Sequence, residues 1–312
     1  MYHIIDRLGL GSRSCQGEAV INAELAHRCE NDLGEGIIWS SAENAILWTD
    51  ILGKQFWRFD PLTRKAAAQS LSERLCCFAS LGEGRLIAGF ASGLARYDLK
   101  SGQREVIAAL ESDQPTTRLN DGKLDRQGRL VFGTMDEGPE GPKPLGHVWS
   151  YDGQTPRILF GDVKISNSIC FSPDGRLMYF ADTPARRIDV FDYDIDTGTP
   201  SNRRVFVELK NDAGYPDGST VDAQGYLWNA EWDGGRVVRY DPNGRIDRVI
   251  SLPVPNVTCC AFGGPTLSDL YITTARVGLS AEALAAAPLS GSLFVVPNAA
   301  QGLADTPFKS IR

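Results

Sequence analysis

The sequence repeats one residue pattern six times, and this repetition restricts the possible folds more than any other feature. The clearest copies are R-L-N-D-G-K-L-D-R-Q-G-R-L-V-F-G-T from residue 118, S-N-S-I-C-F-S-P-D-G-R-L-M-Y-F-A-D from 166 and Y-P-D-G-S-T-V-D-A-Q-G-Y-L-W-N-A-E from 215. Each has a polar opening residue, a short strand, a turn ending in glycine and an apolar strand. The opening residues of the six units are Glu35, Cys77, Asn120, Asn167, Asp217 and Thr258. Their separations of 42, 43, 47, 50 and 41 residues match the period of a propeller blade.

Further strand signals recur in the same order within the units. Second strands are predicted at 45–50, 85–90, 129–134, 176–182, 226–231 and 269–274. Five third strands end in an aromatic residue followed by aspartate, at 59–60, 97–98, 151–152, 191–192 and 240–241. Only residues 279–289 favour a helix, as an insertion between the second and third strands of the last unit. A parallel α/β fold needs a helix after nearly every strand, so these signals exclude it.

We therefore predict an all-β fold, a six-bladed β-propeller of four-stranded antiparallel blades. Residues 1–21 are predicted as an N-terminal lead-in, and residues 22–312 as a single propeller domain. Because a ring of blades must be closed, we expect the early strand near Asn22 to Arg28 to complete the last blade. The C-terminal F-K-S-I at 308–311 is expected to lie beside that strand.

Charge and cysteine usage exclude several classes of partner. The chain has 39 acidic and 32 basic residues and a net charge of −7, without the basic cluster that nucleic acid or an anionic membrane requires. It has no run of 18 apolar residues and no secretion signal pattern, so we expect a cytoplasmic protein. Its seven cysteines include two vicinal pairs, Cys76-Cys77 and Cys259-Cys260, and no C-x-x-C, which favours reduced core residues.

Four of the six opening residues carry polar groups that can bind a ligand. The innermost strand of each blade lines the channel of a propeller, so these residues are predicted to converge there: Glu35, Asn120, Asn167 and Asp217. Two carboxylates and an amide oxygen are hard donors that suit Ca²⁺, Mg²⁺ or Mn²⁺. Without a cation the carboxylates would repel each other and one pKa would rise. The repeats alone leave a second interpretation equally open, in which these groups hydrogen-bond backbone exposed at the channel mouth.

Several motifs together resemble the senescence marker protein 30, gluconolactonase and luciferin-regenerating family, whose members are six-bladed propellers acting on sugar lactones. The matching segments are G-E-G-I-I-W at 34–39, R-L-N-D-G-K-L-D at 118–125, G-T-M-D-E at 133–137, S-N-S-I-C-F-S-P-D-G at 166–175 and Y-P-D-G-S-T-V-D at 215–222. The sequence departs from the family after Glu35, where Gly36-Ile37 replaces the Ser-Pro of many members.

The resemblance implies roles for individual residues. Glu35, Asn167 and Asp217 are expected to hold one divalent metal, and Arg118, Asn120 and Glu137 to contact substrate hydroxyls. A slip of one residue would put Asp136 in place of Glu137, and on a strand the two point in opposite directions.

The expected reaction is metal-dependent hydrolysis of an aldonolactone to the aldonic acid. The metal would polarise the lactone carbonyl, and Asp217 would activate water. The substrate would be a pentonolactone (L-arabinono- or D-xylono-) or a hexonolactone (glucono- or galactono-), selected by loops at 138–146 and 277–289. The metal would be Ca²⁺, Mn²⁺, Zn²⁺, Mg²⁺ or Fe²⁺. A monomer or a weak homo-oligomer is expected.

Two alternatives remain open. One is a promiscuous esterase or organophosphatase that uses the same metal, and the other is a propeller that binds metal without catalysis. The sequence contains no G-x-S-x-G, H-E-x-x-H, Walker or G-x-G-x-x-G motif, so other common hydrolase and nucleotide-binding signatures are absent.

Overall fold

The computed structural model describes residues 21–210 and 214–309. This part of the chain is nearly all β-structure and forms six sheets arranged as a six-bladed propeller, which confirms the predicted fold. Each innermost strand contacts the innermost strands of both neighbouring blades, so the six strands enclose a central channel. The predicted lead-in lies outside the described residues except for Ile21. Across the described ranges, no helix is long and apolar enough to cross a membrane.

The four strands of each blade follow the predicted order from the channel outwards. The inner strands are Gly34–Ser40, Leu75–Gly82, Thr117–Leu124, Ser166–Phe171, Tyr215–Val221 and Val257–Gly263. The second strands are Ala45–Asp50, Arg85–Phe90, Leu130–Asp136, Leu177–Asp182, Leu227–Trp232 and Asp269–Thr274. The third strands are Gln55–Asp60, Gly93–Asp98, Gly146–Tyr151, Arg187–Asp194, Arg236–Tyr240 and Leu293–Val296. The outer strands are Lys65–Ser70, Arg104–Ala109, Arg157–Val163, Thr199–Glu208, Ile246–Ser251 and Glu24–His27.

Three short elements complete the described structure. Ile21–Asn22 pairs in parallel with the outer strand of blade five and adds a fifth strand to that sheet. The helix Ala281–Ala286 lies in the predicted insertion of blade six, and Ser280 caps it by accepting a hydrogen bond from Ala283 N. A 3₁₀ turn spans Thr183–Ala185 in blade four.

The ring is closed by pairing the two ends of the propeller. As predicted, the early strand Glu24–His27 pairs antiparallel with Leu293–Val296 and completes blade six. The prediction for F-K-S-I was wrong for its described part: Phe308 stacks on Tyr151 of blade three at 5.7 Å between ring centroids, and Lys309 N donates to Gly128 O at 2.8 Å. The segment after Val296 contains proline, asparagine and glycine, and it crosses the lower channel mouth, the end opposite to the start of the inner strands.

The core consists of six apolar clusters, each between two neighbouring blades of the described ring. Trp48 and Trp228 are fully buried in two of these clusters, where they pack between blades. The six described cysteines are free and buried, also as predicted. Truncating a buried tryptophan to alanine typically costs about 3–5 kcal/mol. The clusters therefore supply the rigidity that holds residues of different blades together at the channel.

Candidate functional site

Each inner strand of the described ring carries a β-irregularity close to the upper mouth, the channel end where the inner strands begin. In blade one, the stretch from Glu35 to Ile38 lies opposite a stretch of the second strand that is one residue shorter, so the inner strand contains one extra residue. The same irregularity recurs in the other five blades at the residue that opens the repeat. Gly36 (φ 61°) and Ser168 (φ 58°) adopt left-handed backbone there. Because bulges redirect side chains, they allow opening residues of different blades to contact each other, as Glu35 does Asp217 and Asn120 does Asn167.

Two carboxyl groups form the centre of the cluster. Glu35 of blade one and Asp217 of blade five are 8% and 6% exposed, and their side chains share a hydrogen bond. Burial raises the pKa of Glu35 to about 8, and the nearby charge of Asp121 adds to this rise. Burial, followed by the charge of Glu35, also raises the pKa of Asp217. Without a cation, burial and mutual repulsion therefore favour the protonated form of these carboxyl groups.

Asn167 of blade four is linked through Thr183 to the backbone of Pro216, the residue before Asp217. The single hydroxyl proton of Thr183 is donated to Pro216 O at 2.9 Å. Thr183 Oγ1 must therefore accept from Asn167 Nδ2, which lies at 2.8 Å. This contact directs the amide oxygen of Asn167 towards Asn120, whose Nδ2 donates to it at 3.2 Å. One lone pair of that oxygen remains for a ligand.

The predicted substrate-binding residues lie next to this cluster. Arg118 Nη1 donates to Asn120 Oδ1 at 2.8 Å, and Arg118 Nε donates to Glu137 Oε2 at 3.0 Å. Arg118 is 6% exposed, whereas 36% of the Glu137 side chain is exposed. Within residues 21–210 and 214–309, the Nη2 group of Arg118 has no hydrogen-bond acceptor, so it is available to a ligand.

The structure distinguishes Glu137 from Asp136. Both oxygens of Asp136 are used by the following loop: Oδ1 accepts from Gly138 N at 3.1 Å, and Oδ2 accepts from Lys143 N at 2.8 Å. Glu137 is therefore the acid that contacts Arg118. The two remaining opening residues do not join the polar cluster, since Thr258 Oγ1 donates to the Gly34 carbonyl and Cys77 is a buried thiol.

Sequence reasoning missed Arg74 and Asp121. Arg74 donates to both carboxylate oxygens of Glu137, at 2.9 and 2.6 Å. The sequence contains a signal for Arg74. Like Arg118, it precedes a leucine that is the last paired residue before the irregularity of the inner strand. Asp121-Gly122 has the composition of a turn, but it lies inside the inner strand Thr117–Leu124, where Asp121 Oδ2 accepts from Ile169 N at 2.8 Å.

The donor set fits a divalent cation. No group of three or more His, Cys, Asp or Glu side chains with metal-binding geometry occurs within the described part of the chain, so an amide must complete the set. Asn167, whose amide oxygen keeps a free lone pair, is the candidate for that oxygen. A cation between these groups would lower both raised pKa values, because it would offset the repulsion of two buried carboxylates.

A cavity lies away from these residues, at the other end of the channel. It has a volume of about 570 Å³ at the lower mouth, and its lining includes Trp39, Phe78, Lys123 and Phe308. None of the predicted site residues lines it. The chemistry of the channel is therefore concentrated at the upper mouth.

The chain is similar to proteins of one family. The family model described as the SMP-30/Gluconolactonase/LRE-like region matches residues 33–276. The chain is 41% identical over 295 residues to an L-arabinolactonase of Azospirillum brasilense, covering 94% of this chain and 96% of that protein. It is 36% identical over 280 residues to a regucalcin of Danio rerio, covering 88% and 94%.

A solved structure is similar over almost the same span. The calcium-binding protein regucalcin of Agrobacterium tumefaciens superposes with a TM-score of 0.88 at 31% identity, covering 94% of this chain and 100% of that one. The family match, the relatives and the six-bladed fold agree. The chain is therefore a member of the SMP-30/gluconolactonase/LRE-like family.

Proposed function

We propose that this protein hydrolyses a sugar lactone to the aldonic acid with the help of one divalent cation held by Glu35, Asn167 and Asp217. The observation that carries the proposal is the pair of buried carboxyl groups Glu35 and Asp217, which come from different blades and share a hydrogen bond. Family membership supports the reaction class, because the relatives include an L-arabinolactonase over nearly the whole chain. Such a reaction would be that of a carboxylic ester hydrolase.

The cation is proposed from the chemistry of its donors. Hard oxygen ligands favour Ca²⁺, Mg²⁺ or Mn²⁺, while Zn²⁺ and Fe²⁺ also accept them. The similarity to a calcium-binding regucalcin supports Ca²⁺ as the first ion to test. When bound, the ion would supply a Lewis acid for the lactone carbonyl.

Asp217 is proposed as the general base. The backbone around it is firmly held: Ser168 Oγ donates to Asp217 O at 2.6 Å, and Asn229 Nδ2 donates to the same oxygen at 3.2 Å. A carboxylate that gives one oxygen to a cation keeps a second oxygen that can accept the proton of the attacking water. The water adds hydroxyl to the carbonyl carbon, the ring C–O bond breaks, and the proton goes to the leaving ring oxygen.

The remaining residues are proposed to select a polyhydroxylated substrate. Arg118 offers Nη2 as a donor, and Glu137 and Asn120 offer acceptor oxygens close to it. These groups suit hydroxyls of a sugar ring and add nothing to recognition of an unsubstituted lactone. The L-arabinolactonase relative supports a pentonolactone, L-arabinono-1,4-lactone, as the first substrate to test. The reduced cysteines support a cytoplasmic location.

A lactone panel tests this proposal. Acid release is followed with a pH indicator for pentono- and hexonolactones, an aryl ester and an aryl phosphotriester, with and without chelator. We expect chelator-sensitive hydrolysis of a sugar lactone, abolished in Asp217→Asn and retained in the exposed-turn control Asp241→Asn. Preference for the phosphotriester would indicate an organophosphatase instead, and no turnover of any compound would indicate a non-catalytic propeller.

A further inference from the structure

Three side chains from two blades form one charged cluster at the rim of the upper mouth. Arg74 of blade two donates from Nη1 to Glu137 Oε2 at 2.9 Å and from Nη2 to Glu137 Oε1 at 2.6 Å. Arg118 Nε donates to the same Oε2 at 3.0 Å. The cluster is contiguous with the centre of the site, because Arg118 also holds Asn120, which contacts Asn167.

The hydrogen bonds of Glu137 leave one acceptor position of its carboxylate unused. A carboxylate accepts about four hydrogen bonds, two at each oxygen. Oε2 already accepts two, and Oε1 accepts one. The remaining acceptor position is on Oε1, and 36% of the side chain is exposed, so a ligand can reach it. A group that fills it must be a donor, which a sugar hydroxyl is.

Arg74 accounts for most of the order of this carboxylate. Glu137 lies just beyond the second strand, which ends at Asp136, and without Arg74 a single N–H from Arg118 would hold its flexible side chain. Partial burial alone would raise the pKa of Glu137, but Arg74 and Arg118 outweigh it and the pKa is lowered. The acid therefore stays an acceptor.

A purely structural role for Arg74 makes a different prediction. A partly exposed ion pair contributes little to stability, and 28% of the Arg74 side chain is exposed. If Arg74 only linked two blades, its loss would therefore lower the free energy of unfolding slightly and would change the kinetics of all substrates alike. Loss of an ordered acceptor would affect only substrates that use it.

We propose that Arg74 is a positioning residue that fixes Glu137 to accept a hydroxyl of the substrate away from the reacting carbonyl. This inference rests on the proposed lactone hydrolysis. It predicts that Arg74 sets the preference of the enzyme for hydroxylated lactones over unsubstituted ones.

The test compares L-arabinono-1,4-lactone with γ-butyrolactone, which has no hydroxyl. In Arg74→Gln we expect KM for the sugar lactone to rise about tenfold, the loss typical of one charge-assisted contact, with kcat almost unchanged. Kinetics on γ-butyrolactone should not change. Arg74→Lys keeps the charge but not the paired geometry, so it should recover only part of the loss. The matched control is Arg58→Gln, which removes an Arg–Glu pair of similar exposure, Arg58–Glu43.

A double variant and a binding measurement complete the design. In a Glu137→Gln background, Arg74→Gln should add little further loss, because both changes act through one contact. Binding of L-arabinonate, measured by calorimetry, should weaken about tenfold in Arg74→Gln and be unchanged in Arg58→Gln, whether or not turnover is seen. Equal losses on both lactones, additive losses in the double variant, or unaltered arabinonate binding would overturn the inference. Failure of the wild type to open any lactone would refute the proposed function and leave the binding result to decide the role of Arg74.

Discussion

The carboxyl groups of Glu35 and Asp217, from blades one and five, are hydrogen-bonded to each other at the upper mouth. Each is almost fully buried, and each has a raised pKa. Such a pair is unfavourable unless a proton or a cation compensates it. A divalent cation between the two carboxylates would provide this compensation in place of the proton.

The stability of the metal-free protein should fall as pH rises. The pKa of Glu35 is about 8 in the folded chain, against an ordinary value of 4.5, so protonation of this group stabilises the fold. This contribution is complete below about pH 4.5 and is lost as pH rises through about 8. Melting temperatures in chelator should therefore decrease across this window. The decrease should be smaller in Glu35→Gln, which cannot lose the proton.

The comparison of the two proteins isolates the Glu35–Asp217 pair, because Glu35→Gln also removes the charge that raises the pKa of Asp217. His27, whose burial lowers its pKa, contributes with the opposite sign in both proteins and cancels. Parallel melting curves for wild type and Glu35→Gln over the whole pH range would contradict the assignment.

Asn120→Ala should weaken catalysis moderately. The change removes the acceptor of Arg118 and the donor to Asn167 at once. One or two lost contacts correspond to about 1–3 kcal/mol, or roughly a tenfold to hundredfold loss in kcat/KM. Steady-state kinetics on the best sugar lactone measure it, with the exposed-turn variant Asn243→Ala as control. A loss as large as that of Asp217→Asn would mean that Asn120 has a more direct role.

Thr183→Val should reduce metal affinity without removing a ligand. Thr183 Oγ1 accepts from Asn167 Nδ2 and donates to the Pro216 carbonyl, so it fixes the orientation of the Asn167 amide. Loss of such a supporting contact typically weakens metal binding about 10–100-fold. Calorimetric titration with Ca²⁺ would show this, with Thr197→Val, at an exposed turn, as control. Equal affinities for the two variants would show that the amide needs no such support.

The repeat period predicts the fold well because every blade needs the same strands and turns. The second and third strands, the helical insertion and the closure by Glu24–His27 agree with the pattern because each depends on local signals or on the need to close the ring. The contacts between Glu35 and Asp217 and between Asn120 and Asn167 also follow from the repeat, since equivalent positions of different blades face the channel.

Features that depend on packing between blades were not predictable from local signals. Asp121-Gly122 has the composition of a turn, yet it lies in a strand irregularity whose partner, Ile169, belongs to the next blade. The role of Arg74 becomes visible only once blades two and three are adjacent, because its acid lies far along the chain. The choice between Asp136 and Glu137 depends on the amides of a loop that no period describes.

Metal content is the most direct test of the central claim, that Glu35, Asn167 and Asp217 together hold one cation. Wild-type protein and the double variant Glu35→Gln/Asp217→Asn are equilibrated with Ca²⁺ at pH 7.5, dialysed, and analysed by elemental mass spectrometry. We predict about one ion per chain in the wild type and almost none in the folded double variant. Equal metal content in the two proteins would contradict the account.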